Sequence, residues 1–180
     1  MAKVIKLKDY EPKGSHHIFL DTNVLIYAFA PIANYKIEIQ KQITNFFTTA
    51  KTVKTSLYVT SLVLSEYYNV LFQHDFKHWQ NQSENIGKND LKIDYRKSSE
   101  YIESIESING GIKNILKIAS SFPDDFNAID LNNVLKLLPH ADFNDCYFLE
   151  IAKQKGWTIL TRDKDIINHP FRAIDVITIL

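Results

Sequence analysis

The chain has 180 residues, 45% of them hydrophobic and 23% charged, and its 21 basic side chains are balanced by 21 acidic ones. That size and composition fit one globular domain with a layered core and leave little room for two. Neutral charge excludes a broadly basic nucleic-acid binder, so any contact with RNA or DNA has to come from a local patch. Cys146 is the only cysteine, which excludes an internal disulfide and fits a reducing compartment. No apolar run reaches the roughly 18 residues of a membrane span, and Met1 to Lys13 lacks the continuous apolar core of a signal peptide. A cytoplasmic location without membrane contact is expected.

In chain order, His17 to Leu20 is an apolar run that ends at Asp21 and predicts a strand; Asn23 to Phe29 then continues at helical spacing until Pro31. Tyr35 to Ala50 places Tyr35, Ile39, Ile43, Phe46 and Phe47 on one helical face. Leu57 to Thr60 predicts a second strand, after which Ser61 is placed to cap a helix through Leu62, Val63, Tyr67, Val70 and Leu71. The stretch of about 74–122 reads as an enlarged helical insertion. It holds a polar segment from Asn81 to Asp94 and one or two helices through Tyr101, Ile105, Ile108, Ile112, Ile115 and Ile118, interrupted or joined at Gly110-Gly111.

Beyond it, Pro123-Asp124-Asp125 marks a turn, Phe126 to Ile129 a short third strand, and Leu131 to Leu138 a short helix. A helix beginning at Asp142 or Phe143 stops at Gly156. Trp157 to Thr161 and Ala173 to Leu180 supply the last strands. Strands alternating with helices predict an α/β fold, a three-layer sandwich in which helices flank a mostly parallel five-stranded sheet, with 1–180 forming a single domain. Ligands of such folds gather at the carboxyl ends of the strands.

Four acids fall where strands hand over to helices or loops, or one turn into the helix that follows: Asp21, Glu66, Asp145 and Asp163. Aimed at one end of a parallel sheet, they would form a pocket of negative charge that calls for divalent cations. Each also has a plainer explanation. Asp21 suits a helix cap. Glu66 shares a face with Leu62, Val63 and Val70, and burying it is costly without compensation. No lysine or arginine lies between Lys54 and Lys77, so a salt-bridge partner of that kind must come from elsewhere. Asp142 and Asp145 suit a capped helix start favoured by the helix dipole, and Asp163 with Asp165 suits a solvated loop. The joint placement of the four is what argues for a site.

Other chemistry is weaker in the sequence. Cys146 sits in an apolar helix without an adjacent histidine and reads as a core thiol. The histidines lack zinc-site spacing, and no glycine-rich phosphate loop is present. Phe76, Lys77, His78, Trp79, Lys92, Tyr95, Arg96 and Lys97 could touch a phosphate backbone, or could equally form a solvated helical surface.

Four stretches in order resemble the PIN-domain ribonuclease family, which includes the VapC-type toxins of bacterial toxin–antitoxin pairs. Phe19 to Leu25 is similar to its opening strand and first aspartate, and Thr60 to Glu66 to its second motif, with a glutamate one turn into a helix. Asp145 with Ala152 and Gly156 resembles the third, and Leu160 to Ile166 the fourth. Asp142 competes with Asp145 for the third place, and the distance to Gly156 favours Asp145. The resemblance implies a Mg²⁺- or Mn²⁺-dependent endoribonuclease whose acids hold one or two hard cations, with RNA as substrate. It also implies an antitoxin protein and a homodimer as partners. It assigns Asp21, Glu66 and Asp145 to metal, Asp163 to a second metal or to orienting water, and Asn23 and Thr161, with Asp165 or Asp142, to supporting positions.

Two alternatives differ in class. A catalytically silent PIN-like module would keep the fold and bind RNA or a protein without cutting. A phosphoacceptor receiver domain would need paired early acids and a mid-chain acceptor aspartate, and here the early acid is single.

Overall fold

A computed structural model describes residues 2–30, 37–88, 90–170 and 172–179. The elements run β1 (Val4–Lys6), β2 (His17–Leu20), α1 (Thr22–Phe29), α2 (Ile37–Thr52), β3 (Ser56–Val59), α3 (Ser61–Gln80), α4 (Ser99–Ile118) and β4 (Ser120–Ser121), followed by α5 (Leu131–Leu137), α6 (Phe143–Lys155), β5 (Thr158–Thr161), α7 (Lys164–Ile167) and β6 (Val176–Thr178). The expected turn at Pro31, the helix start at Tyr35 and the final Leu180 lie outside the described residues.

The strands form a six-stranded sheet in the order β1-β6-β5-β2-β3-β4, and every neighbouring pair is parallel. Parallel sheets need cover on both faces. Accordingly Ile18, Phe19 and Leu20 of β2, Ile159, Leu160 and Thr161 of β5, and all of β6 are buried. Helices α1 to α4 pack with one another, as do α5 to α7, giving the three-layer α/β sandwich. The deepest helix is α6, where every residue from Cys146 to Ala152 is buried and Phe148 meets Phe19 of β2 at 5.0 Å between ring centroids. A helix buried over two turns lies inside the core even though it carries Glu150, and Cys146 is a buried thiol within it.

The sheet order has a consequence for function. From β2 the chain proceeds to β3 and β4 on one side, whereas from β5 it proceeds to β6 on the other. The β2–β5 junction is therefore a topological switch point, where the helices following the two strands diverge and open a crevice at the carboxyl ends. Leu20 pairs with Leu160, and the backbone N–H of Asp21 donates to Leu160 O at 3.1 Å, so the two strand ends are level.

The strand count and several boundaries differ from expectation. Six strands replace five. The N-terminal residues contribute the edge strand β1, too short to carry a period. The expected strand at Phe126 to Ile129 is instead a 3-10 turn over Phe126–Ala128, entered through Asp125 in the left-handed region (φ 52°) and exposed along its length. The strand beside β3 is Ser120–Ser121, two exposed serines with no apolar signal. It lies inside the stretch read as insertion, so the last residues of that stretch belong to the sheet. At the start of α3, Thr60 rather than Ser61 takes the N-cap position, and the Ser61 hydroxyl donates to the Asp124 carboxylate.

Phe72, just before the insertion, joins Phe76, Trp79, Tyr95 and Tyr101 within it, extending the aromatic core between α3, α4 and the segment joining them. Phe76, Trp79 and Tyr95 are buried, so these rings serve packing and are not a stacking platform for bases. Gly110-Gly111 does not interrupt α4, which runs through both. A Cβ at Gly111 would overlap the hydroxyl of Tyr67, a side chain with 0% exposure, whereas one at Gly110 meets nothing within 4 Å. Gly111→Ala is therefore expected to destabilise by about 1–3 kcal/mol through overpacking. Gly110→Ala is expected to be neutral or to stabilise by up to about 1 kcal/mol through helix propensity. Urea melts of the two variants check the pair; equal effects would contradict this close α3–α4 approach.

Candidate active site

The carboxyl edge of the sheet gathers acids from two strand ends, those of β2 and β5, and from α3 and α6. Asp21 follows β2 and is 2% exposed. Glu66 lies on α3, Asp145 in the first turn of α6, and Asp163 and Asp165 at the start of α7 after β5. Single carboxylate oxygens of Asp145, Asp163 and Asp165 lie within 4.8 Å of one another.

A hydrogen-bond frame fixes these groups. Thr161, at the end of β5 with 0% exposure, donates its hydroxyl to Asp21 Oδ2 at 2.6 Å and accepts the backbone N–H of Asp163 at 2.8 Å. The Asn23 amide spans Asp21 Oδ2 (3.5 Å) and Asp163 Oδ2 (3.4 Å). The other Asp163 oxygen accepts the N–H of Asp165 at 2.8 Å, capping α7. Asp142 takes the N-cap of α6, its Oδ1 accepting the N–H of Asp145 at 3.0 Å. One of its oxygens is thus committed to the helix, while the Asp145 carboxylate remains with Asp163 and Asp165.

Thr22 was not singled out by sequence reasoning. It is 1% exposed and donates its hydroxyl to Glu66 Oε2 at 3.0 Å. Its only sequence signal is a hydroxyl next to Asp21 at a helix start, where caps are common. Asp21 itself occupies the N-cap position of α1 without a side-chain capping bond, although the Thr22 backbone N–H also acts on its carboxylate.

The electrostatics follow from crowding. Burial pushes the Asp21 carboxyl up to about 7; the Thr161 hydrogen bond opposes this, and the nearby Glu66 and Asp163 carboxylates reinforce it. Burial likewise pushes Asp145 up to about 8, helped by Asp142, Asp163, Asp21 and Glu66 in that order. Glu66 is also raised, first by burial, with Thr22 and Asn144 hydrogen bonds working against it. Among the described residues no ion pair within 4 Å reaches Asp21, Glu66, Asp142, Asp145, Asp163 or Asp165. Like charges brought together without a protein cation are what a divalent ion relieves. The clustered carboxylate oxygens suit a hard cation such as Mg²⁺ or Mn²⁺, so the residues present fit the group the sequence resemblance implies.

The family model described as PIN domain matches residues 18–172. The fold is similar to the crystal structure of VapBC2 from Rickettsia felis bound to a DNA fragment from their promoter, with a TM-score of 0.53 and 15% identity over 89% of this chain and 97% of that one. The crystal structure of PAE2754 from Pyrobaculum aerophilum aligns with a TM-score of 0.49 and 14% identity over 89% and 90% of the two chains. No curated protein matches the sequence. No helix among the described residues is long and apolar enough to cross a membrane.

Proposed function

This chain belongs to the PIN domain family, and on that premise we propose that it is a divalent-metal-dependent endoribonuclease, the toxin of a type II toxin–antitoxin pair. The observation that carries the reading is the group of acids at the β2–β5 switch point: single carboxylate oxygens of Asp145, Asp163 and Asp165 lie within 4.8 Å of one another, with the Asp21 and Glu66 carboxylates near enough to push Asp145 up further. Asp21, Glu66 and Asp145 would hold Mg²⁺ or Mn²⁺, and Asp163 with Asp165 would complete that site or hold a second ion. A bound divalent cation supplies Lewis-acid activation of water and neutralises charge on the phosphodiester.

The chain's own residues prepare for this. Thr161 and Asn23 hold Asp21 and Asp163 in one orientation, which spares reorganisation when a ligand arrives. Thr22 does the same for Glu66. Asp142 fixes the first turn of α6 and thereby the direction of Asp145. The low-dielectric floor beneath Asp21 strengthens each of these interactions.

An antitoxin would bind as a separate protein, and a homodimer is part of the same proposal; the likeness to the VapBC2 structure supports the toxin reading at the level of fold. RNA cleavage is tested with chelator-washed protein on a mixed RNA substrate. Cleavage is expected only when Mg²⁺ or Mn²⁺ is restored. Full activity without metal would overturn the reading, and RNA binding without cleavage in either condition would select the silent module instead.

A further inference from the structure

A concave site away from the carboxyl edge shares no residue with the acid cluster. A cavity of about 430 Å³ opens between α5, α6 and the segment leading into β6, lined by Asn133, Lys136, Leu137, Leu149, Glu150, Lys153, Arg172 and Ala173. Its volume is in the range of small-molecule pockets, which are roughly 300–1,000 Å³.

One wall is built around a buried charge. Glu150 is 2% exposed and accepts from Gln154 Nε2 at 3.1 Å, Lys153 Nζ at 3.2 Å and Asn133 Nδ2 at 3.4 Å. Its hydrogen bonding is satisfied, so it serves as a fixed anchor for Lys153 and Asn133 and does not itself call for a ligand. Arg172 is different. Its Nη1 donates to Ile167 O at 2.9 Å and its Nη2 to Ala2 O at 3.4 Å, which immobilises the guanidinium. Its Nε–H is buried without an acceptor among the described residues. That atom has almost no exposed surface, so what the guanidinium can offer the cavity is the second N–H of each Nη group, beyond the bonds to Ile167 O and Ala2 O. With Lys136 and Lys153 beside it, the lining carries three cationic groups against one carboxylate, while Leu137, Leu149 and Ala173 supply an apolar wall.

We propose that this cavity binds a small organic carboxylate, its anionic end directed to Arg172 and Lys136 and its apolar body against Leu137 and Leu149. A preorganised guanidinium is the group best suited to a planar carboxylate. A neutral molecule of the same shape would leave the cationic groups uncompensated and should bind more weakly.

The test is a backbone amide NMR titration of the full chain with 3-phenylpropionate and, separately, with its neutral amide. The acid is expected to shift resonances of Leu137, Leu149 and Ala173, and the amide to bind at least about tenfold more weakly, the loss typical of a hydrogen bond to a charged group. Lys136→Glu, at an exposed position, should weaken the acid by a similar factor without moving the melting temperature. Arg172→Ala should abolish its binding; because Arg172 also ties down two carbonyls, this variant is read only after its spectrum shows a folded protein, and Lys136→Glu decides the matter alone if it does not. Equal binding of acid and amide, unchanged affinity in Lys136→Glu, or shifts that map to Asp21 and Asp145 would each overturn the proposal.

Discussion

Asp21→Asn is expected to lower RNA cleavage by more than a hundredfold and, in the same molecule, to raise the melting temperature of the metal-free protein at pH 8. The two effects have one origin. Asp21 is almost fully buried, receives a hydrogen bond from Thr161 and lies close enough to Glu66 and Asp163 for their charges to oppose its ionisation. Replacing the carboxylate with an amide removes a buried negative charge that no protein cation compensates, so the metal-free fold gains. A gain of each kcal/mol would appear as about 2–4 °C in a chain of this size. The same change removes an anionic oxygen from the centre of the cluster, and the loss should exceed the roughly 10–100-fold typical when only a group supporting a metal ligand is removed. Thr161→Val supplies that comparison: it keeps the carboxylate but removes the hydroxyl holding it and should fall inside the smaller range. Kinetic assays alongside thermal melts check both. A variant that loses activity together with stability would point to a structural role for Asp21 instead.

The second large effect is a reversal of pH dependence by metal. Asp21 and Asp145 titrate near 7 and 8 in the folded chain, far above the ~3.9 of an aspartate in an unfolded one. Between those values the folded state binds more protons than the unfolded state, so stability falls as pH rises from about 4 to 8. Below that window both states are protonated at these two groups and the penalty is absent. Metal-free protein is therefore expected to melt several degrees lower at pH 8 than at pH 5. Adding Mg²⁺ or Mn²⁺ should raise the melting temperature more at pH 8 than at pH 5, because the ion competes with protons for the same oxygens. Differential scanning fluorimetry across this range, with and without metal, reads the effect. A metal-free melting temperature that rises from pH 5 to pH 8 would contradict the crowding of these carboxylates.

Much of the fold was legible because β2, β3 and β5 are apolar runs bounded by turn or cap residues, and burial on both faces of a parallel sheet produces such runs. The edges were not legible. Ser120–Ser121 forms β4 through backbone pairing alone, and nothing in two serines announces a strand. Phe126 to Ile129 gave the opposite error: its apolar residues suggested a strand, but the left-handed Asp125 turns the chain and leaves Phe126 58% exposed. The double glycine leaves one or two helices open in the sequence because glycine disfavours helices, and the helix is continuous, with Gly111 required by the approach of Tyr67.

Of the proposed site residues, the positions of Asp21 and Asp163 at strand ends and of Asp145 in a helix start are legible in the sequence. The sheet order that makes the β2–β5 junction a crevice is not, because pairing between strands distant in sequence leaves no local trace. Asp165 read as a supporting group, and its clustering with Asp145 and Asp163 depends on the tight capping turn at Asp163. Thr22 escaped notice because its role is defined by Glu66, 44 residues away.

Manganese soaked into crystals of the protein near pH 8, followed by anomalous diffraction, tests the central claim most directly. The account predicts an anomalous peak at the carboxyl edge of β2 and β5, bonded to oxygens of Asp21, Asp145 or Asp163 at the roughly 2 Å of a hard-cation contact, and absent from Asp21→Asn crystals treated identically. Well-ordered wild-type crystals with manganese only on other surface acids, and none among these carboxylates, would contradict it.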